Sequence, residues 1–256
     1  MIYFEQLRDP ERGCLSYLLG DLESGEAVVV DALEPIGVEG YVLRAAERGL
    51  ALRSVIDTHL HADHRSIGPA LAEAAGCPYQ LRDGAATSLP YTPLVPGQVL
   101  RLGALSLEVL ATPGHTPESL SLLGRDRERQ DQPWFVLSGD SLMVGDVGRP
   151  DLLLGEGGEV VAERAITLYH TLHDTLLALP DWVELYPAHY GASSCGGRHM
   201  SGKTGSTIGF ERRYNVALLA PDQAAFVQFV LATLKEQPAG YQEIKRRNMG
   251  EVRERA

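Results

Sequence analysis

Cysteine is scarce here. Cys14, Cys77 and Cys195 are the three in 256 residues, an odd number at wide spacing. That excludes a disulfide framework and a thiolate zinc knuckle, and it makes a reducing cytoplasm the expected compartment. Cys14 and Cys77 have apolar neighbours and are expected to be small buried residues. Cys195 falls in a Gly/Ser-rich stretch and is expected in a flexible loop, without chemistry of its own. Positive charge is short as well, the formal net charge being −11. A nucleic-acid partner needs a basic surface to neutralise phosphates, so that class is set aside. Long apolar runs are missing. Nothing approaches the ~20 residues that cross a bilayer, and the first residues lack the basic-then-apolar pattern of a secretory signal. No membrane partner is expected. Nor is there an internal repeat, a low-complexity segment or a clear linker. The basic stretch 245–255 reads as a solvated tail.

Hydrophobic residues make up 44% of the chain, enough for a sizeable core. The length suits one domain over residues 1–256, with a helical C-terminal extension at about 207–256. Apolar runs at 14–20 and 26–31 flank a polar turn and read as an antiparallel pair. Helical spacing follows at 35–48, closed by Gly49. A strand at 52–57, a helix at 66–75, a short strand at 78–81 and a hairpin at 99–102 and 105–111 come next. Alternation of Leu105, Leu107 and Val109 gives the hairpin one buried face. Strands are expected at 119–123, 134–137 and 182–186, and helices at 160–179 and 221–235. Strands arrive in two batches, each followed by helices. This α/β (α+β) pattern is compatible with two sheets face to face and helices outside, a four-layer αββα sandwich.

Chemistry is concentrated in residues 58–64. His59, His61, Asp63 and His64 place four metal-ligand types within six residues, and three of the chain's eight histidines are here. A helix would scatter them around its axis. A strand would send His64 to the face opposite His59, His61 and Asp63. The spacing therefore predicts a tight loop leaving the 52–57 strand. Other ligand types stand just past strand ends, beside Gly or Pro: His115 after Pro113 and Gly114, Asp140 after Gly139, His189 after Pro187 and Ala188. Four loops at one edge of a sandwich would gather five histidines and two carboxylates, a donor set suited to zinc, iron or manganese. Asp57, at the end of the preceding strand, needs a partner if buried, and a ligand-histidine N–H is the natural one. His170 and His173, on the 160–179 helix, read as surface or satisfied core residues.

In order and spacing these motifs resemble the ligand motifs of the metallo-β-lactamase superfamily, over about residues 15–217. The resemblance implies the αββα sandwich that the strand pattern allows. Residues 139–152, the Ser193-Ser194-Cys195-Gly196 turn and residues 206–215 are further similar to the persulfide dioxygenases, in a form with no rhodanese domain following. That resemblance implies one Fe(II) per chain held by His59, His115 and Asp140, with His61, Asp63, His64, His189 and Asp57 supporting them. Two imidazoles and a carboxylate leave about three octahedral positions for a substrate sulfur and O2. The implied reaction oxidises a low-molecular-weight thiol persulfide, such as glutathione persulfide, to sulfite and free thiol. Arg212 stands where the resemblance puts a thiol-binding arginine, and Tyr190 and Arg149 are further candidates. Arg149 reads equally well as an ion pair with Asp151 that braces its loop. Arg198, His199 and Lys203 read as residues of a solvated, mobile loop.

The same ligand motifs also resemble glyoxalase II-like thioester hydrolases. That likeness implies two metals, zinc or mixed zinc and iron, with His61, Asp63, His64 and His189 as ligands. The thiol carrier, whether glutathione, coenzyme A or another, stays open at this point. So does the oligomeric state, a homo-oligomer being compatible with the sequence.

Overall fold

Alternation along the strands decides the layers. The computed structural model describes residues 1–152, 154 and 157–252. In it β1 (Ile2–Asp9), β2 (Cys14–Asp21) and β3 (Glu26–Val30) are antiparallel neighbours. After α1 (Val38–Glu47), β4 (Ala51–Ile56) joins β3 in parallel. After α2 (Gly68–Ala75), β5 (Tyr79–Arg82) and β6 (Thr92–Leu94) extend the same sheet in parallel. The second sheet is built from β7 (Val99–Leu102), β8 (Leu105–Ala111), β9 (Leu120–Asp126) and β10 (Phe135–Gly139), all antiparallel. A two-stranded ribbon, β11 (Leu142–Met143) and β12 (Asp146–Val147), follows, then α3 (Gly158–His170). β13 (Glu184–Pro187) pairs in parallel with β10, and β14 (Ser206–Thr207) closes the edge.

Successive strand residues face opposite ways. A strand between a sheet and a helix layer must then be apolar on both faces, and β2 is buried along its whole length. Leu15, Tyr17 and Leu19 of β2, with Val28 and Val30 of β3, meet Leu105, Leu107, Val109, Phe135 and Leu137 between the sheets. The alternate residues Leu18, Ala27 and Val29 turn outward to Tyr41 and Ala45 of α1 and Leu71 of α2. Behind the second sheet, Leu123, Val136 and Leu185 pack on Ala165 and Leu168 of α3 and on Phe226 and Val230 of α5 (Gln223–Ala232). Three cores between four layers make the αββα sandwich.

Several details differ from expectation. The helix foreseen at 160–179 is α3 followed by a single π turn, Thr171–Leu176. There Thr171 Oγ1 donates to Pro113 O at 2.6 Å and ties the turn to the His115 loop. Inserted π turns are frequent at functional sites. After α4 (Ile208–Tyr214) and α5, the stretch read as a solvated tail begins inside a further helix, α6 (Tyr241–Asn248), whose Tyr241, Lys245 and Asn248 are buried. Residues 253–255 of that reading lie outside the described residues. Among the described residues no helix is long and apolar enough to cross a membrane.

Candidate metal centre

Asp31, one residue past β3, is the one described non-glycine residue with positive φ, 54°. Such a backbone is costly for an L-residue unless its surroundings hold it. Here it turns the carboxylate across to the end of β4. Asp31 Oδ1 accepts the Thr58 N–H at 2.7 Å, and the Thr58 hydroxyl lies 3.0 Å from both Asp31 oxygens. The hydroxyl proton is thereby committed to Asp31. Thr58 Oγ1 then accepts from His59 Nδ1 at 3.0 Å. His115 Nδ1 lies 2.7 Å from Arg149 O, which can only accept. Both rings therefore carry the proton on Nδ1 and present a lone pair at Nε2.

Those lone pairs converge on one carboxylate oxygen. Asp140 Oδ2 is 3.4 Å from His115 Nε2 and 3.6 Å from His59 Nε2. His59 Nε2 and Asp140 Oδ2 are buried and have no hydrogen-bond partner. Acceptors crowded together in a dry site are unfavourable unless a cation sits among them. The three donor atoms lie within 4.8 Å of one another, which fits a divalent ion with bonds of about 2 Å. Burial keeps both rings neutral and ready: it lowers His59, and it lowers His115 against the pull of Asp140.

The other Asp140 oxygen belongs to a chain of charged groups. His189 Nδ1 donates to Asp140 Oδ1 at 2.6 Å, and its Nε2 to Asp63 Oδ2 at 2.8 Å. Burial alone would lower the His189 pKa, but the two carboxylates hold it well above the ordinary value, so the ring is an imidazolium. Burial would likewise raise Asp63 and Asp140. His64 and His189 keep Asp63 well below the usual range, and His189 and His115 keep Asp140 low. His64 Nδ1 is 3.1 Å from both Asp63 oxygens, and the Cys14 thiol donates to Asp63 Oδ2 at 3.2 Å. Donor atoms of Cys14, Asp63, His64 and His189 also fall within 4.8 Å, a second place where a metal could be held. Filling it requires His189 to give up its proton.

His61 is turned elsewhere. Its Nε2 is 3.2 Å from Asp31 Oδ1, short of hydrogen-bond geometry, and it groups with Asp31 and Asp57 instead of with the His59, His115 and Asp140 donors. The Asp57 hydrogen bonds come from the hydroxyls of Ser66, at 2.5 Å, and Tyr79, at 2.8 Å. A ligand-histidine N–H was the expected partner. The packing of α2 and β5 on the end of β4 supplies these hydroxyls first.

Three expected substrate contacts fare differently. Arg149 is fully buried and uses all five guanidinium donors: two on Asp151, and the rest on the carbonyls of Ser194, Lys235 and Glu236. No donor is left for a ligand, so the bracing reading replaces the substrate role. Arg212 points away from the cluster to Leu177 O and Leu179 O and forms an ion pair with Asp181. Tyr190 is half-buried against the inter-sheet core, next to His189.

The rest of residues 206–215 is scaffold. Glu211 accepts from Gly145 N and Ser206 Oγ, while Asn215 Nδ2 reaches Met143 O and Asp146 O. Together they clamp the β11–β12 ribbon. The ribbon leads to Gly148, where any Cβ would collide with Asp140 O.

The Gly/Ser-rich loop is packed at Cys195, while Arg198, His199 and Lys203 are exposed as expected. Cys195 is buried, within 4.8 Å of donor atoms of Asp140 and His189. The His199 N–H donates to Asp146 Oδ2 at 2.8 Å, and its ring stacks on Phe229. Cys77 is only partly buried.

Sequence reasoning missed Asn248 and Lys245. Asn248 Nδ2 donates to His61 O and His64 O, both at 2.9 Å, and its Oδ1 accepts from Ser66 N at 3.0 Å. Lys245 Nζ donates to Leu152 O at 3.0 Å, close enough to His115 for its charge to lower that ring's pKa. Asn248 stands two residues before Gly250 and Lys245 begins a basic run, but neither follows an apolar strand-like run, so no pattern marked them.

A divalent ion bound by His59, His115 and Asp140 is expected to stay as pH falls through 6.5, the ordinary imidazole midpoint. The folded-state values of both rings lie below it, so protons do not yet compete. Metal content after desalting in buffers on either side of pH 6.5 checks this; half-loss above that pH contradicts it.

Residues 9–189 match the metallo-beta-lactamase superfamily. The mitochondrial persulfide dioxygenase ETHE1 of Mus musculus is 32% identical over 221 residues, 85% of this chain and 76% of that protein. A hydroxyacylglutathione hydrolase of Polaromonas sp. strain JS666 is 31% identical over 177 residues, 68% of this chain and 61% of that protein. Among solved structures, a metallo-beta-lactamase from Staphylococcus aureus superposes with a TM-score of 0.88 at 27% identity, covering 97% of this chain and 72% of the other. ETHE1 from Myxococcus xanthus superposes with a TM-score of 0.81 at 29% identity, covering 98% and 100%.

Proposed function

The chain belongs to the metallo-beta-lactamase superfamily, and from that premise we propose that it is a persulfide dioxygenase using one Fe(II) per chain. The reaction would be RSSH + O2 + H2O → RSH + SO3²⁻ + 2 H⁺, with RSSH a low-molecular-weight thiol persulfide. One observation carries the reading. His59, His115 and Asp140 turn free donor atoms to a common point, while His61 is drawn to Asp31 and His189 is held between Asp140 and Asp63. Two imidazoles and one carboxylate on a face suit non-haem Fe(II) and leave adjacent positions open. The bound iron would supply the redox chemistry with O2. Orientation and charge fall to the chain. Thr58 and the Arg149 carbonyl fix the two rings. The His189 imidazolium steadies Asp140 and keeps a proton beside the site. Lys245 adds positive charge near His115, where an anionic sulfur would approach. The similarity to proteins named persulfide dioxygenase along most of the chain supports the same reading.

The test is metal analysis of the purified protein combined with an oxygen electrode. About one iron per chain and oxygen uptake on adding glutathione persulfide are expected. Two metals per chain, thioester cleavage and no oxygen uptake would replace this reading by a thioester hydrolase. The observation favouring that second reading is the Cys14, Asp63, His64 and His189 cluster, which keeps a second metal place intact.

A further inference from the structure

Three buried residues from separate elements meet beside the metal-binding loop. Asp31 stands just past β3, Asp57 just past β4, and His61 lies in the loop itself. Each is 1% exposed, and their ligand-type atoms all lie within 4.8 Å of one another. Hydrogen bonds account for only part of the group. Asp31 is held by the Thr58 N–H and hydroxyl, and Asp57 Oδ2 accepts from the hydroxyls of Ser66 and Tyr79. Asp57 Oδ1 and both ring nitrogens of His61 are buried with no hydrogen-bond partner among the described residues. An N–H on His61 does not repair this, because Nε2 is 3.2 Å from Asp31 Oδ1 yet outside hydrogen-bond geometry. Two ligands about 2.1 Å from a shared ion, at angles from octahedral to tetrahedral, stand about 3.0 to 3.4 Å apart. The His61–Asp31 distance falls in that interval.

We infer that Asp31, Asp57 and His61 form a further site for a divalent cation of the zinc or manganese kind, which fastens the metal-binding loop to the ends of β3 and β4. Two carboxylates and one imidazole, with no thiolate, are a donor set that such ions accept. The two positive charges balance two carboxylates that otherwise repel each other in a dry site. No residue is shared with the His59, His115 and Asp140 set, so the inference does not rest on the dioxygenase reading. It does take His61 away from the two-metal set of the hydrolase reading. The consequence for the neighbouring centre is positional. Asp31 holds the Thr58 hydroxyl, which in turn accepts from His59 Nδ1. A cation on Asp31 therefore steadies the side chain that orients a ligand ring. It also stabilises the fold, because the unfolded chain does not bring the three donors together.

The experiment locates the ion and counts it. Crystals of the full chain grown with Zn²⁺ are measured on both sides of the zinc absorption edge. An anomalous peak is expected within about 2.5 Å of donor atoms of Asp31, Asp57 and His61. In solution, chelator-stripped protein is reloaded with Zn²⁺ and desalted, in the starting chain, in Asp57→Asn, in Asp140→Asn and in the double variant. Asn at position 57 keeps an oxygen for Ser66 and Tyr79 and sets an NH2 group where Oδ1 stands. Asp57→Asn is expected to hold one zinc fewer per chain than the starting chain. Asp140→Asn is expected to keep a zinc-dependent rise in Tm of at least about 3 °C, which the double variant loses. Zinc density at His59, His115 and Asp140 but none at Asp31, Asp57 and His61 overturns the site. So does an undiminished zinc count in folded Asp57→Asn. A peak at the three residues, together with iron-loaded protein that takes up no oxygen, leaves this site standing while the dioxygenase reading fails.

Discussion

On the proposed Fe(II) dioxygenase reading, exchanging Asp140 for Asn is expected to leave a folded protein that has lost the bound metal and roughly a thousandfold or more of the oxygen uptake. The two side chains have nearly the same shape, so packing is kept and only charge and hydrogen-bond direction change. Asp140 serves two partners at once: Oδ2 faces His59 and His115, and Oδ1 accepts from His189 at 2.6 Å. An amide has one acceptor. With its carbonyl toward His189, the NH2 group points at the metal position and offers no lone pair. With its carbonyl toward the metal, NH2 meets the His189 Nδ1–H and donor faces donor. Either way the imidazolium keeps only Asp63 as a counter-charge, in a site where an uncompensated charge is expensive. Metal analysis, oxygen uptake and a melting curve on the same preparation read all three consequences. Near-full iron with undiminished uptake would remove Asp140 from the ligand set.

That argument could be prepared from the sequence only in part. The strands were legible because a sandwiched sheet needs apolar residues on both faces, as the runs at 14–20 and 26–31 have, and because 105–111 alternates with one apolar face. The ligand-bearing loops were legible because each puts a His or Asp just past a strand-like run, those of His115, Asp140 and His189 beside Gly or Pro. How those loops divide the work was not. Whether His61 turns toward Asp140 or toward Asp31 depends on the positive φ at Asp31, at the end of the neighbouring strand β3. The direction of Arg212 was not legible, because a position in the chain does not give one: it lies on α4, and its side chain pairs with Asp181. The Gly/Ser-rich loop misled for a related reason. Gly196 and Gly197 are small because Met143, Met200 and Asp146 press against them, so the composition marks close packing where flexibility was expected.

Replacing Asn248 by Ala is expected to lower stability by about 3 kcal/mol and Tm by roughly 10 °C, and to reduce retention of the proposed metal although Asn248 touches no proposed ligand atom. One buried side chain joins α6 to three backbone groups of the metal-binding loop, the carbonyls of His61 and His64 and the N–H of Ser66. Those groups sit in a loop that cannot satisfy itself, because its side chains are turned to Asp140, Asp31, Cys14 and His189. Removing the amide leaves buried donors and acceptors without partners, and the full desolvation cost then appears. Asn248→Asp tests the mechanism more sharply. It keeps the acceptor for Ser66 but sets a carboxylate oxygen against two carbonyl oxygens, so it should be at least as damaging as Ala. Arg246→Ala, exposed on the same helix, should change little. Thermal melting and iron content across the three variants decide. If Asn248→Ala melts and binds iron like the starting chain, α6 rests on the sandwich without holding the loop, and the positions of His61 and His64 must be set from the β4 side alone.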